Sequence, residues 1–446
     1  MLSQQVYNFY ITRQQVINSH SIDATSDLHF NADGRLLRPA YGSYCFAHIP
    51  DTIRAAFGAA PSAVGGLPQQ ALSDGGQGFE RVLFFFIDGL GWELFERHAG
   101  QHPLLQELLR GGVVSRMTSM FPSTTSAHVT CMNSGLPVGA SGVYEWFYYE
   151  PLLDMVIQPL MFSPAGERGR DLLLQQNVKA ASLFPEETLY LDLKPAGVKS
   201  YQLTSQEYAR SAYSEHFGRG AEILPFVTFG DGLAQLERVL EKRSGRLYAY
   251  VYMAGVDAVE HQRGPLSRNV EYEVLGALDQ LERFLRWLRA SGAGRRTLLL
   301  LTADHGLAPT NPSTTLYLNQ AFPGIEASFR QTRQGKPVLF GGSPRDLFLY
   351  IQDERLEETH ARLAQALAGR AEVHRTADLL AQGLFGQQPV SERLKERLGN
   401  LVILPYAGES VGWYEKDRFE MKYFGHHGGL SPQEMLIPFA AYPVEQ

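Results

Sequence analysis

Three short segments of the chain join an apolar run to an aspartate. Residues 81–87 (RVLFFFI) lead into Asp88-Gly89-Leu90-Gly91, and residues 247–253 (LYAYVYM) lead into Ala254-Gly255-Val256-Asp257. Residues 297–301 (TLLLL) lead into Thr302-Ala303-Asp304-His305-Gly306. His261 follows Asp257 by four residues, a spacing that can bring two ligands to one metal, and His426-His427-Gly428-Gly429 adds imidazoles near the C-terminus. Singly, each segment has a plain explanation: a turn aspartate or helix cap for Asp88, a surface hydrogen bond for Asp257 and His261. Together they put three aspartates and at least three histidines at strand ends or glycine turns. Unpaired, such carboxylates would repel one another and shift their pKa values sharply. Divalent cations resolve that conflict, and mixed Asp/His ligation suits Zn²⁺ or Mn²⁺ better than Ca²⁺, which prefers oxygen alone.

A nucleophile candidate lies in Phe121-Pro122-Ser123-Thr124-Thr125-Ser126-Ala127-His128. The loop bearing Pro122 leads into a helical stretch over 126–133 that Gly135 ends. A hydroxyl at the start of that helix meets exposed backbone N–H groups and the positive end of the dipole, which suits an alkoxide and the phosphate it attacks. The plain alternative is an N-cap, where Ser and Thr are favoured.

These residues need a frame. The three apolar runs read as strands buried on both faces. Helices sit between them; Leu275, Leu278, Leu281, Phe284, Leu285 and Leu288 recur at three- and four-residue steps and form one apolar face. The alternation predicts an α/β fold, a mainly parallel sheet covered by helices on both faces, with its ligand at the carboxyl ends of the strands. Residues 311–420 break the pattern. Strands at 346–351 and 372–375 around a helix at 354–367 suggest a β-α-β piece, and a last strand is expected over 435–441. The organisation is therefore an N-terminal segment and linker over 1–79, a catalytic core over 80–310 and 421–446, and a smaller inserted α+β subdomain over 311–420 near the active-site rim. Within the first part, Val6, Phe9, Tyr10, Val16 and Ile17 could form one face of a short helix. A proline-started helix is expected over 52–57, and 59–78 reads as a surface linker.

Composition narrows the classes. The 446 residues carry 40 Lys+Arg against 47 Asp+Glu, a net charge of 40 − 47 = −7. A mildly acidic chain has no general attraction for nucleic-acid backbones or anionic membranes. Two cysteines, Cys45 and Cys131, make no disulfide framework. No basic segment followed by an apolar stretch opens the chain, and the apolar runs fall far short of the ~20 residues of a membrane span. A soluble cytoplasmic protein is expected.

The motifs FFFIDGLG, FPSTTSAHVTCMNSGLP, GVDAVEHQRGP, LTADHG and HHGG occur in this order over residues 82–429. The set resembles the alkaline phosphatase superfamily, most of all its type I phosphodiesterase/nucleotide pyrophosphatase branch. The resemblance implies an alkaline-phosphatase-like core and a site for two divalent ions, Zn in first place and Mn as alternative. Asp88, Thr125, Asp304 and His305 would surround one ion; Asp257, His261 and His427 would hold the other. Thr125 is preferred to Thr124 because the family's nucleophile stands ten residues before the glycine of a turn, here Gly135. His427 is preferred to His426 because the family's histidine directly precedes glycine. One departure stands out: Trp146, in Ser141-Gly142-Val143-Tyr144-Glu145-Trp146, occupies the place of an asparagine that binds a phosphoryl oxygen. There is no Cys-x-Pro-x-Arg motif of the sulfatase branch.

The implied activity is metal-dependent hydrolysis of a phosphate diester or pyrophosphate bond through a phosphothreonine on Thr125. The substrate would be a small phosphate ester, with nucleotides among the candidates and nucleic-acid polymers outside them. No Arg or Lys inside the motifs is a compelling extra phosphate ligand, which favours a diester. The alternatives are a phosphomonoesterase or phosphotransferase with the same metals, and an inactive metal-stabilised binding protein. His128 and Cys131 are expected to pack, and the aromatic run 144–149 to line a pocket or to serve as core or interface.

Overall fold

The computed structural model describes residues 17–72, 78–387 and 389–445. The helix face of Val6, Phe9, Tyr10 and Val16 lies outside them, as do residues 73–77 of the expected linker. The described part of 59–78 includes a 3-10 turn, Gln69–Ala71, and the early helix spans Ile49–Ala56.

Seven strands form the central sheet. In chain order they are β1 (Arg81–Ile87), β2 (Val113–Thr118), β3 (Lys199–Ser205), β4 (Ala221–Phe226), β5 (Leu247–Met253), β6 (Thr297–Thr302) and β7 (Leu436–Pro443). Their spatial order is β2-β7-β6-β1-β5-β3-β4. β1 lies in the middle and pairs in parallel with β5 and β6, while β7 runs antiparallel to both β6 and β2. Val82–Phe86 are fully buried, which is why β1 reads as an unbroken apolar run. Full burial of each such side chain contributes about 1.5–3 kcal/mol. One face of β1 and β5 is aromatic, with Phe84 against Tyr250 and Phe86 against Tyr252 at 6.0 and 5.3 Å between ring centroids.

Three helices bear on the site: α1 (Thr125–Ser134), α2 (Gly255–Arg263) and α3 (Arg268–Ala290). The apolar stripe of α3 is buried through Val270, Val274, Leu278, Leu281, Phe284, Leu285 and Leu288, with Leu275 half-buried. The α/β expectation is met, with β7 as the strand that departs from parallel.

A second apolar cluster gathers Leu318, Phe329, Leu349, Leu363, Ile403 and Trp413. It packs on a three-stranded antiparallel sheet in which Leu401–Pro405 lies between Leu347–Leu349 and Ala371–Arg375. Helix Leu356–Ala366 joins the outer two strands. The expected β-α-β order is present, but its two strands never pair. The strand between them comes from later in the chain, and local pattern says nothing about such a partner. Among the described residues no helix is long and apolar enough to cross a membrane.

Candidate active site

Sheet register brings the first residues together. Ile87 pairs with Met253 and Phe86 with Thr302, so the chain leaves β1, β5 and β6 at one level. Asp88 follows β1 directly, and its N–H donates to the Met253 carbonyl at 2.9 Å. Asp304 and His305 follow β6. Asp257 differs from expectation: it lies in the first turn of α2 rather than at a strand end. The turn folds back, and the Asp257 N–H donates to the Asp88 carbonyl at 3.1 Å. One helical turn on, His261 Nε2 stands 3.3 Å from Asp257 Oδ1. This crowding explains two glycines. A Cβ on Gly89, whose φ is +80°, would stand 2.9 Å from Asp257 Cα; one on Gly91 would stand 2.6 Å from Gly306 Cα.

Thr124 is the N-cap of α1 and Thr125 its first residue; Gly135, at φ 75°, ends the helix in the left-handed conformation. Every residue of α1 except Thr125 is buried. Thr125 Oγ1 lies 3.5 Å from each Asp88 carboxylate oxygen and 3.2 Å from His305 Nε2. His128 holds the turn that presents it: its Nδ1–H donates to the Thr124 carbonyl at 2.7 Å, and its Nε2 accepts from the Met120 amide at 3.0 Å. Burial pushes this imidazole down to about 3, so it stays neutral. Cys131 is a buried thiol, pushed well up by desolvation.

The electrostatics call for cations. Burial, then mutual repulsion, pushes Asp88, Asp257 and Asp304 well above the usual carboxylate range. Burial lowers His261 to about 4 and His305 and His427 well below their ordinary value. The ring tautomers sharpen the conflict. His261 Nδ1 faces the Gly425 carbonyl at 2.8 Å, and His427 Nδ1 faces the Ser123 carbonyl at 3.0 Å. A carbonyl only accepts, so both Nδ1 atoms carry the proton and both Nε2 atoms carry lone pairs. Those lone pairs face Asp257 Oδ1 at 3.3 and 3.7 Å. Asp257 Oδ1 and Asp304 Oδ2 are buried without a hydrogen-bond partner among the described residues. Lone pairs facing an unpartnered carboxylate oxygen fit a cation between them, and nitrogen with oxygen donors fits a transition metal.

All seven expected residues converge, with one difference in grouping. Asp88, Asp304 and His305 form one tight donor set, and Asp257, His305 and His427 another. The ring of His305 stacks on that of His427 at 3.6 Å between centroids, so it lies between the two sets expected to be separate. Trp146 lines a cavity of about 240 Å³ together with Asp88, Thr125 and Asp257, whereas Tyr144 and Tyr148 are core.

Five contributors escaped sequence reading. The Tyr252 hydroxyl donates to Asp88 Oδ2; its signal was every second residue of YAYVYM being tyrosine. Ser123 and Gly425 orient the two histidines through carbonyls and carry no side-chain signal. Glu260 is buried, with Oε2 2.7 Å from where a Gly89 Cβ would be. Arg170 lines the same cavity as Thr125. It lies outside every motif, so a reading of the motifs alone does not reach it.

Comparison with known proteins places this geometry. The family model for type I phosphodiesterase / nucleotide pyrophosphatase matches residues 82–430. No curated protein sequence matches. Among solved structures, murine ectonucleotide pyrophosphatase/phosphodiesterase 5 superposes with a TM-score of 0.62 at 16% identity, covering 81% of this chain and 87% of that one. The human protein of that name gives 0.60 at 16% identity, covering 81% and 87%. An inactive threonine-to-alanine variant of the murine protein, solved in complex with AMP, gives 0.62 at 16%, covering 81% and 88%. The matched span holds every motif residue named above, and the chain belongs to the type I phosphodiesterase/nucleotide pyrophosphatase family of phosphoester-hydrolysing enzymes.

Proposed function

We propose that the chain hydrolyses small phosphate diesters or pyrophosphates by attack of Thr125 Oγ1 on phosphorus. The observation that carries this reading is the position of Thr125: first residue of a buried helix, half-exposed to the cavity, 3.2–3.5 Å from His305 and Asp88. Asp88, Thr125, Asp304 and His305 would hold one divalent ion, and Asp257, His261 and His427 the other, with Zn²⁺ suited to the donors and Mn²⁺ the alternative. When bound, the ions supply Lewis-acid charge that lowers the pKa of a hydroxyl and offsets phosphoryl charge.

The chain's own groups do the rest. The amide N–H groups heading α1 meet the phosphoryl oxygens, and His128 keeps that turn in place. The new Oγ1–P bond forms as the bond to the leaving oxygen breaks, and the Thr125 proton passes to solvent. Water then attacks the phosphothreonine; the P–Oγ1 bond breaks, Thr125 regains a proton and a phosphomonoester leaves. Trp146 places an indole where a small amide was expected, so that side of the cavity suits a bulky second ester group. A nucleotide is one such substrate, consistent with the AMP bound by the murine relative's variant.

Turnover of bis(p-nitrophenyl) phosphate and p-nitrophenyl phosphate under matched metal conditions tests this. Diester kcat/KM should exceed monoester kcat/KM. Thr125→Ala should lower it by about 10³-fold or more, and Thr124→Ala far less. Acid-quenched wild-type protein should carry phosphate on the Thr125 peptide. A monoester preference of tenfold, about 1.4 kcal/mol, would move the assignment to phosphomonoesterase. Loss of activity in Thr124→Ala but not Thr125→Ala would displace the nucleophile.

A further inference from the structure

We infer that Arg170 forms an anion subsite in the substrate cavity, and that the preferred substrates are diesters or pyrophosphates whose second group carries its own phosphate or carboxylate. This rests on the hydrolytic reading of the site above.

Arg170 lines the cavity that holds Thr125, Asp88 and Asp257. Its Nη1 donates to the Leu160 carbonyl at 3.0 Å, and its Cζ lies 5.7 Å from the centroid of the Tyr208 ring. These contacts hold the guanidinium against the wall. None of the ion pairs among the described residues involves Arg170, although carboxylates neutralise many other arginines of this chain. One carbonyl uses one of five N–H donors, so most of a planar fork built for oxyanions remains available.

A row of aromatic rings fixes its place relative to the chemistry. The Tyr252 hydroxyl donates to Asp88, and the Tyr208 ring lies 6.2 Å from the Tyr252 ring. The Tyr208 phenol is within electrostatic reach of both Asp88 and Arg170. Asp88 and the guanidinium are thus connected through two rings and form no ion pair with each other. The charge Arg170 meets belongs to the second ester group and not to the phosphorus that Thr125 attacks. Trp146 and the tyrosines supply flat apolar wall in the same cavity. The cavity thus offers a nucleophile for the reacting phosphate, flat apolar wall and a cation for a second anion, a set that suits an ester carrying a further charged group.

Three substrates sharing p-nitrophenolate as leaving group read this directly: phenyl, 4-carboxyphenyl and 4-(phosphonomethyl)phenyl p-nitrophenyl phosphate. In wild-type protein the two anionic esters should have the higher kcat/KM, and the larger of the two tells carboxylate from phosphate recognition. Arg170→Gln should lower the anionic-to-neutral ratio at least tenfold, and Arg170→Lys should restore part of it. Raising salt from 0.05 to 0.5 M should shrink the wild-type ratio and leave that of Arg170→Gln nearly flat, a response that a purely structural role would not produce. The same ratio, read as Kd by calorimetry on a Thr125→Ala background, needs no turnover. A ratio unchanged within twofold in Arg170→Gln, with turnover intact, overturns the subsite and keeps the hydrolytic reading. Arg170-dependent Kd discrimination without turnover of any ester by wild-type protein overturns the hydrolytic reading and keeps the subsite.

Discussion

Glu145 and Asp346 are carboxyls with no exposure to solvent, close beneath the glycine turn that carries His427. A Cβ on Gly428 would stand 2.6 Å from Asp346 Oδ1 and 3.1 Å from Glu145 Oε1. Ser343 Oγ bridges them to the site, donating to Asp346 Oδ1 at 2.7 Å and lying 3.0 Å from the His427 carbonyl. Burial pushes Glu145 up to about 8, against downward pulls from the Trp146 amide and the Thr124 and Asp346 side chains. Asp346 is raised by burial and by the charge of Glu145. A carboxyl raised on folding holds a proton that the unfolded chain has released. Between its ordinary value of 4.5 and about 8, folding takes up a proton, so this group's contribution to stability falls as pH rises. One proton sets a slope of up to about 1.4 kcal/mol per pH unit. Glu145→Gln should flatten that slope in urea unfolding of metal-loaded protein across pH 5–8. An unchanged slope would mean that the pair does not hold the proton.

At the scale of elements, the loop bearing His427 depends on an ion pair from a distant part of the chain. Arg345 and Glu434 are both fully buried and joined by two bonds of 3.0 and 2.8 Å. Glu434 also completes a capping box with Ser431 at the helix before β7 and accepts from the Gly429 amide at 3.0 Å. Arg345→Met would leave Glu434 buried without its cation, a change worth about 3–5 kcal/mol. Chemical denaturation should show that loss, together with weaker metal retention because the Gly428-Gly429 turn loses its anchor. The double variant Arg345→Met/Glu434→Met should recover much of the stability, because no unpaired charge remains. Equal destabilisation in both variants would make packing, not charge, the cause.

For the whole molecule, the donors run from Asp88 to His427 and meet only when the sheet and the C-terminal segment are both in place. Ions bound by this set would favour the folded chain over the unfolded one. At a hundred times Kd, each site adds about 2.7 kcal/mol. Elemental analysis should approach two divalent ions per chain. Chelation should abolish turnover and lower Tm by several degrees, and Zn²⁺ or Mn²⁺ should restore both. Saturation at a single ion remote from Asp257 and His305, or a Tm indifferent to chelation, would contradict the two-ion site.

Most of the residues that converge at the cavity carried a local signal in the sequence, while the choice of Thr125 over Thr124 and of His427 over His426 came from the family resemblance. Asp88 and Asp304 follow runs that doubly buried strands favour, the stretch after Thr125 reads as a helix that Gly135 closes, and the four-residue spacing of Asp257 and His261 is one that can bring two ligands to one metal. Such signals are short-range: burial of a strand, capping of a helix and a 3.6-residue period are properties of neighbouring residues. What pairs with what is a long-range matter. Pattern alone did not place Leu401–Pro405 between two earlier strands, seat His305 between both donor sets, or lock Arg345 onto Glu434. Nor could it place Arg170 in the cavity wall with Trp146, since an arginine outside any motif looks the same whether it faces solvent or substrate. Residue types and local pattern set which donors were available and most of the elements that carry them. Tertiary packing decided their distances, their tautomers and the wall of the cavity, because those depend on groups brought together from hundreds of residues away.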